Sequence, residues 1–244
     1  MPLARADLES LLKTRQLDRT LTPITYAIGS TGVPALDAEL LGGFPRGQLS
    51  ELVGPRSSGR TSLLLRLMAA ATARGELVAL VDALDGLDVE SAATAGVDLD
   101  RLLWIRGFVV ADPGMCRDMN QRAMEQAIRA LTLVLQAGNF GLVVFDVVDS
   151  PADAVRRLPL TTWLRLQRMV EGCQTICVLA GAERMARSSA GLSLHVQRRA
   201  EGGGQRFCGR LFDGFDIDAR VIRARARGRE DATVALTTRA MAHA

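Results

Sequence analysis

The residues best placed to do chemistry run from Gly54 to Ser62 and read GPRSSGRTS. They follow an apolar run, Leu49 to Val53, and open a helical pattern, Arg60 to Ala73. A strand, a glycine-framed loop and a helix together make a phosphate cradle, in which loop N–H groups and a helix N-terminus converge on one anion. The pattern G-x-x-x-x-G-K-[ST] is met at every fixed position except the lysine, which is Arg60. Gly54, Ser57, Ser58, Gly59, Arg60, Thr61 and Ser62 are therefore the expected contacts of a nucleotide's phosphates. The Thr61 hydroxyl is the expected Mg²⁺ ligand. Asp146, which closes the apolar run Leu142–Phe145, is the expected carboxylate on the metal side. Arginine keeps the positive charge but is wider and planar, so the substitution predicts weak ATP or ADP binding with Mg²⁺ and inefficient hydrolysis.

The elements that must position these residues alternate. Strands are expected at Leu49–Val53, Glu76–Asp82, Leu102–Ile105, Gly141–Asp146 and Thr175–Leu179. Between them fall helices at Arg60–Ala73, Leu87–Ala95 and Met119–Leu135, then a helix or helix pair up to Glu171. Near-continuous apolar strands separated by helices are the signature of a parallel sheet covered on both faces. A helix over Val33–Leu41 precedes the loop unit. A short helix over residues 4–18 stands outside it, free to fold back or to dock on a second copy as a homo-oligomer contact. From Leu192 the pattern changes to short, partly alternating runs at Leu192–Arg198, Arg206–Phe212, Ile217–Arg227 and Thr233–Thr237, with a hairpin turn at Gly202-Gly203-Gly204. The expected fold is α/β: a P-loop core with a mostly parallel sheet, a short N-terminal helix, and an antiparallel C-terminal β extension. The expected units are 1–27, 28–200 and 201–244.

Composition bounds the rest. The chain has 244 residues, 48% of them apolar, enough for a large core. No apolar run approaches the roughly 20 residues that span a bilayer, and MPLARADLESLLK has no signal-peptide stretch. The expectation is a cytoplasmic protein with no membrane partner. Cys116, Cys173, Cys177 and Cys208 form no CxxC pair and are read as reduced thiols. With His195 and His243 the only histidines, no Ser/His/Asp or Cys/His constellation can be assembled.

Two arginine features remain. Val155–Thr175 (VRRLPLTTWLRLQRMVEGCQT) combines Arg156, Arg157, Arg165 and Arg168 with Trp163. It reads either as a helix packed on the sheet with solvated arginines, or as a DNA or partner surface anchored by Trp and Arg. In RVIRARARGR, Arg223, Arg225, Arg227 and Arg229 alternate. On a strand they share one face, either as charges that guard an edge or as an anion-binding ridge.

Val33–Ile105 resembles the RecA recombinase core. The shared marks are the LD-x-x-L-x-x-G-x-P-x-G lead-in (here LDAELLGGFPRG), the GPRSSGRT loop, the strand ending in Asp82-Ala83, and GVDLDRLL. The likeness reaches over roughly residues 28–200 and implies a RecA-type ATPase core that polymerises on single-stranded DNA. The departures fall where that family's activity lives. Its water-activating glutamate is Leu84 here, which cannot act as a base. Its later Asn-Gln sensor pair is Ala180-Gly181. The DNA loop after it is shortened to Glu183–Ser189, with Arg184 and Arg187 but no aromatic residue for base stacking.

With the N-terminal helix and LLWIRG, the Val155–Thr175 stretch further resembles the ImuA family, shortened RecA-like proteins also labelled SulA-like. That resemblance implies an accessory role in damage-induced translesion synthesis (SOS mutagenesis), with RecA, an ImuB-like Y-family polymerase relative and an alternative replicative polymerase subunit as partners. The competing expectation is an active DNA-dependent ATPase of the RecA, RadA or KaiC type that uses Arg60 in an unusual way. A division inhibitor, the third class raised by the SulA-like label, has no residue pattern of its own here.

Overall fold

The computed structural model describes residues 27–111, 117–186, 190–199, 216–224 and 230–237. The expected helix at 4–18, the strand at Arg206–Phe212 and the Gly202–Gly204 turn lie outside the described residues.

The strand-to-helix alternation read from the sequence is realised in order. A two-stranded antiparallel ribbon, β1 (Ile28–Gly29) and β2 (Phe44–Pro45), brackets α1 (Pro34–Glu39). Asp37 fixes this entry segment by accepting hydrogen bonds from the Thr31 N–H and hydroxyl, both at 2.8 Å, and from the Ser30 hydroxyl. Then follow β3 (Gln48–Val53), α2 (Arg60–Ala73), β4 (Val78–Asp82), α3 (Val89–Thr94), β5 (Leu102–Arg106), α4 (Arg117–Ala137) and β6 (Leu142–Asp146). The chain continues through α5 (Ala152–Arg156), α6 (Leu160–Val170), β7 (Ile176–Gly181), β8 (Leu192–Arg198), β9 (Asp216–Ala224) and β10 (Thr233–Thr237).

The eight long strands form one sheet in the order β10-β9-β8-β3-β7-β6-β4-β5. Neighbours from β8 to β5 are parallel, and β9 and β10 add antiparallel to that edge. The period-2 geometry of a strand sends alternate residues to opposite layers. Thus Val78 and Leu80 of β4, and Leu142 and Val144 of β6, pack with α1, α2 and α3. Ala79, Val81, Val143 and Phe145 pack with α4, α5 and α6. Ile217, Ala219 and Val221 of β9 and Val234 of β10 join the α2 layer.

At the N-terminal ends of the strands, Arg46 donates to the Gln174 carbonyl at 2.7 Å and to the Ile28 carbonyl, and pairs with Glu76. This leaves the opposite ends, where β3, β4, β6 and β7 all finish, as the open rim. In α/β sheets of this kind that rim is where ligands bind.

Candidate phosphate-binding site

The loop from Gly54 to Gly59 leaves β3 and enters α2 directly. Its two glycines are required for different reasons. Gly59 sits at φ 90°, a left-handed conformation that favours glycine, and Ser57 at φ 56° is left-handed too. Such turns let successive backbone N–H groups face one anion. Gly54 instead lies against β8, where any Cβ would collide with the Val196 carbonyl. Ser58 is buried, and its hydroxyl has no hydrogen-bond partner, so a polar group in the cradle is free to meet a ligand.

Arg60 is the departure with the largest structural consequence. Its side chain does not extend over the loop. It is only 5% exposed, and its guanidinium donates to the carbonyl of Gly54 and, at 2.6 Å, to the carbonyl of Gly181 at the end of β7. Burial lowers its pKa from the usual arginine value, opposed by the nearby charges of Asp146 and Asp149. The residue thus ties the loop base to β7 as a buried strut.

Two carboxylates close the strands that flank the rim. Asp82 of β4 and Asp146 of β6 are register partners. Asp82 accepts from the Leu87 N–H at 2.9 Å and the Trp104 indole N–H at 3.2 Å. Asp146 accepts from the Val148 N–H at 2.8 Å. Burial pushes the Asp146 carboxyl up to about 6, reinforced by the like charges of Asp82 and Asp149 and opposed by the Val148 hydrogen bond and Arg60. A carboxyl that holds its proton more tightly when folded weakens the fold as pH rises from its unfolded value, near 4, through about 6. In divalent-free buffer, Asp146→Asn is therefore expected to melt a few degrees higher than wild type at pH 8, with the gain vanishing near pH 4. A thermal melt series across pH checks the sign.

A cleft of about 1000 Å³ opens beside the loop. Thr61, Asp82, Leu84, Asp146 and Asp149 line it, together with Ile217 of β9. Thr61 and Ser62 are exposed at the first turn of α2. The Thr61 hydroxyl and the Asp146 carboxylate are hard oxygen donors of the kind Mg²⁺ takes, so this pair fits a magnesium-bound phosphate. Leu84 lines the cleft where the resemblance placed a catalytic glutamate. Its neighbour Asp85 is no substitute: at φ 58° it turns to a two-pronged pair with Arg106, both bonds at 2.6 Å.

The expected arginine surface on α5 and α6 divides. Arg157, Arg165 and Arg168 are exposed, and Arg156 forms an exposed pair with Glu183 at 2.8 Å. Trp163, a surface anchor in one of the two readings, is only 3% exposed and packs with Leu158, Leu166 and Val170 against the sheet, as the other reading has it. The helix's period turns the indole inward with Leu166 and Val170, so it is a core residue. Of the alternating arginines, Arg223 lies on β9, which is described to Ala224; Arg225, Arg227 and Arg229 lie outside the described residues, as does Arg187. The one-face ridge is accordingly described at Arg223 alone. Cys173 and Cys177 are free thiols; Cys116 and Cys208 fall outside the described residues.

Sequence reasoning missed Glu51. This mid-strand carboxylate of β3 is fully buried and accepts from the N–H groups of Met185 and Ala186, both at 2.7 Å, and from the Ser193 hydroxyl at 2.8 Å. Arg184 stands 3.6 Å away. Glu51 and Arg60 together hold the segment after β7 to the sheet. The available signal was a lone acid in the apolar run LSELV, which demands buried partners. No helix among the described residues is long and apolar enough to cross a membrane, and no cluster of three or more His, Cys, Asp or Glu among them is arranged to hold a metal.

Residues 15–157 match the RecA N-terminal domain family. The RecA protein of Streptomyces venezuelae is 40% identical over 135 residues, 55% of this chain and 32% of that protein. The RecA protein of Acholeplasma laidlawii is 38% identical over 119 residues, 48% of this chain and 32% of that protein. The chain thus spans about a third of the length of these curated relatives. The crystal structure of a RadB recombinase superposes with a TM-score of 0.61 at 22% identity, covering 85% of this chain and 94% of that one.

Proposed function

This chain belongs to the RecA N-terminal domain family, and from that premise we propose that it is an accessory RecA-like protein of DNA damage tolerance, of the ImuA type, whose nucleotide site has lost efficient hydrolysis. It works as a scaffold in the cytoplasm, at the nucleoid. Its partners are RecA itself, an ImuB-like polymerase relative and an alternative replicative polymerase subunit, with residues 4–18 as a self-association element. The observation that carries this reading is the withdrawn Arg60, bound to two carbonyls beneath the loop rather than extended over it. Leu84 in the cleft and Ala180-Gly181 at the end of β7 support it, because a water-activating base and a polar sensor are both missing. Exposed Arg157, Arg165 and Arg168 supply a surface for single-stranded DNA or an acidic partner.

Thr61 and Asp146 line the same cleft, and the Ser58 hydroxyl is left without a partner, which favours a second reading as a working DNA-dependent ATPase in recombinational repair. Turnover separates the two. The scaffold reading expects no ATP hydrolysis above background with or without single-stranded DNA, and recovery of polymerase subunits with the tagged protein from damage-treated cells. Steady turnover abolished by Asp146→Ala would falsify it in favour of the ATPase.

A further inference from the structure

The withdrawal of Arg60 bears on which nucleotide the cradle takes. In the G-x-x-x-x-G-K-[ST] arrangement the loop backbone holds the inner phosphates, and the cationic side chain at the position of Arg60 reaches the β- and γ-phosphates. Here that cation is engaged beneath the loop, by the Gly54 and Gly181 carbonyls. The other arginines of the cleft do not replace it. Arg56 is 81% exposed and pairs with Asp149 at 2.9 Å, and Arg66 reaches back to the Gly32 carbonyl. What the rim does place there is acidic: Asp82, Asp146 and Asp149 all line the cleft. The backbone half of the cradle persists, with its left-handed Ser57 and Gly59 and the unpartnered Ser58 hydroxyl.

We propose that this site holds the inner phosphates of nucleoside di- and triphosphates alike, with Arg60 as the residue that removes discrimination for the γ-phosphate. The proposal rests on the cradle reading above. The inner phosphates gain loop N–H groups and the N-terminus of the 14-residue α2. Among the described residues a third phosphate gains no side-chain cation that is not already paired, and it adds charge beside Asp82 and Asp146. A charged contact of the kind withdrawn is ordinarily worth about ten- to a hundred-fold in affinity, and that is the preference for triphosphate this chain forgoes.

Displacement of a fluorescent mant-ADP from the full chain by ADP and by ATP, in constant Mg²⁺, tests this. ADP and ATP are expected to compete within about threefold of each other in the wild type, and Arg60→Lys is expected to move the ratio at least tenfold toward ATP. Arg56→Ala, a change at the exposed end of the same loop, is expected to keep the wild-type ratio. Tenfold tighter ATP in the wild type overturns the proposal, as does an Arg60→Lys ratio that does not move. A selective loss of ATP affinity in Arg56→Ala overturns it too, because Arg56 would then be the γ-phosphate ligand. Should Arg60→Lys fail to fold, the wild-type and Arg56→Ala ratios decide. Failure of mant-ADP to bind at all is a different result: it removes the cradle reading itself and this proposal with it.

Discussion

Replacing Glu51 with alanine is expected to cost about 3–5 kcal/mol of folding stability. The carboxylate is fully buried in β3 and receives two backbone N–H groups and a hydroxyl. Truncation leaves those donors buried without an acceptor, and each orphaned donor ordinarily costs about 1–3 kcal/mol. For a chain of 244 residues that corresponds to a fall in Tm of roughly 6–20 °C. Glu51→Gln is expected to fall between wild type and alanine: its carbonyl can still accept, but its amide N–H₂ turns donors toward donors. Thermal melts of the three proteins give the ranking. Hydrogen exchange at Met185 and Ala186 locates it, since these amides should lose protection before those of α4. A loss below about 1 kcal/mol would mean that the segment after β7 is held by something other than Glu51. This matters for function because that segment leaves β7 at Gly181, the strand's last residue and the one that Arg60 grips. Two side chains of opposite charge thus fix the place where a nucleotide-driven recombinase would be expected to move.

Trp163→Ala is expected to be nearly as damaging, at about 3–5 kcal/mol, the usual cost of emptying a buried aromatic site. The indole fills the space between α6 and the sheet with Leu158, Leu166 and Val170. Arg165→Ala and Arg168→Ala lie on the solvent side of the same helix and should change stability by no more than about 0.5 kcal/mol. Their effect should appear elsewhere. If this face meets single-stranded DNA, each phosphate contact removed lowers the salt slope of binding by about 1. Urea denaturation, paired with fluorescence anisotropy of labelled single-stranded DNA across a salt series, separates the two faces. A Trp163→Ala protein of wild-type stability with weakened binding would return the tryptophan to the role of surface anchor.

Much of the architecture could be read from local pattern. The boundaries of α2, β8 and β10 agree with the runs Arg60–Ala73, Leu192–Arg198 and Thr233–Thr237. The cause is simple: a strand buried on both faces must be apolar throughout, and a loop at left-handed φ needs glycine or a small residue at that position. The Gly54–Ser62 cradle, the acids at the ends of β4 and β6, and the antiparallel edge after β8 follow from such short-range rules. The same pattern left Trp163 open between the core and the surface, because an amphipathic helix rich in arginine carries apolar residues on both its buried and exposed sides. Leu160 and Leu164 are 43% exposed while Trp163 is not.

What the chain order alone could not decide is where the polar side chains of the interior go. Arg60 reads as a phosphate ligand beside its loop; only the approach of β7 supplies the Gly181 carbonyl, 121 positions away, that draws it underneath. Glu51 reads as a stray acid in a strand until residues more than 130 positions later bring it two amides and a hydroxyl. Sequence by itself therefore determined the loop and its glycines, since backbone conformation is a local property. Tertiary structure decided whether the cradle's cation faces the ligand or the protein, since a buried charge goes wherever the fold presents it with partners.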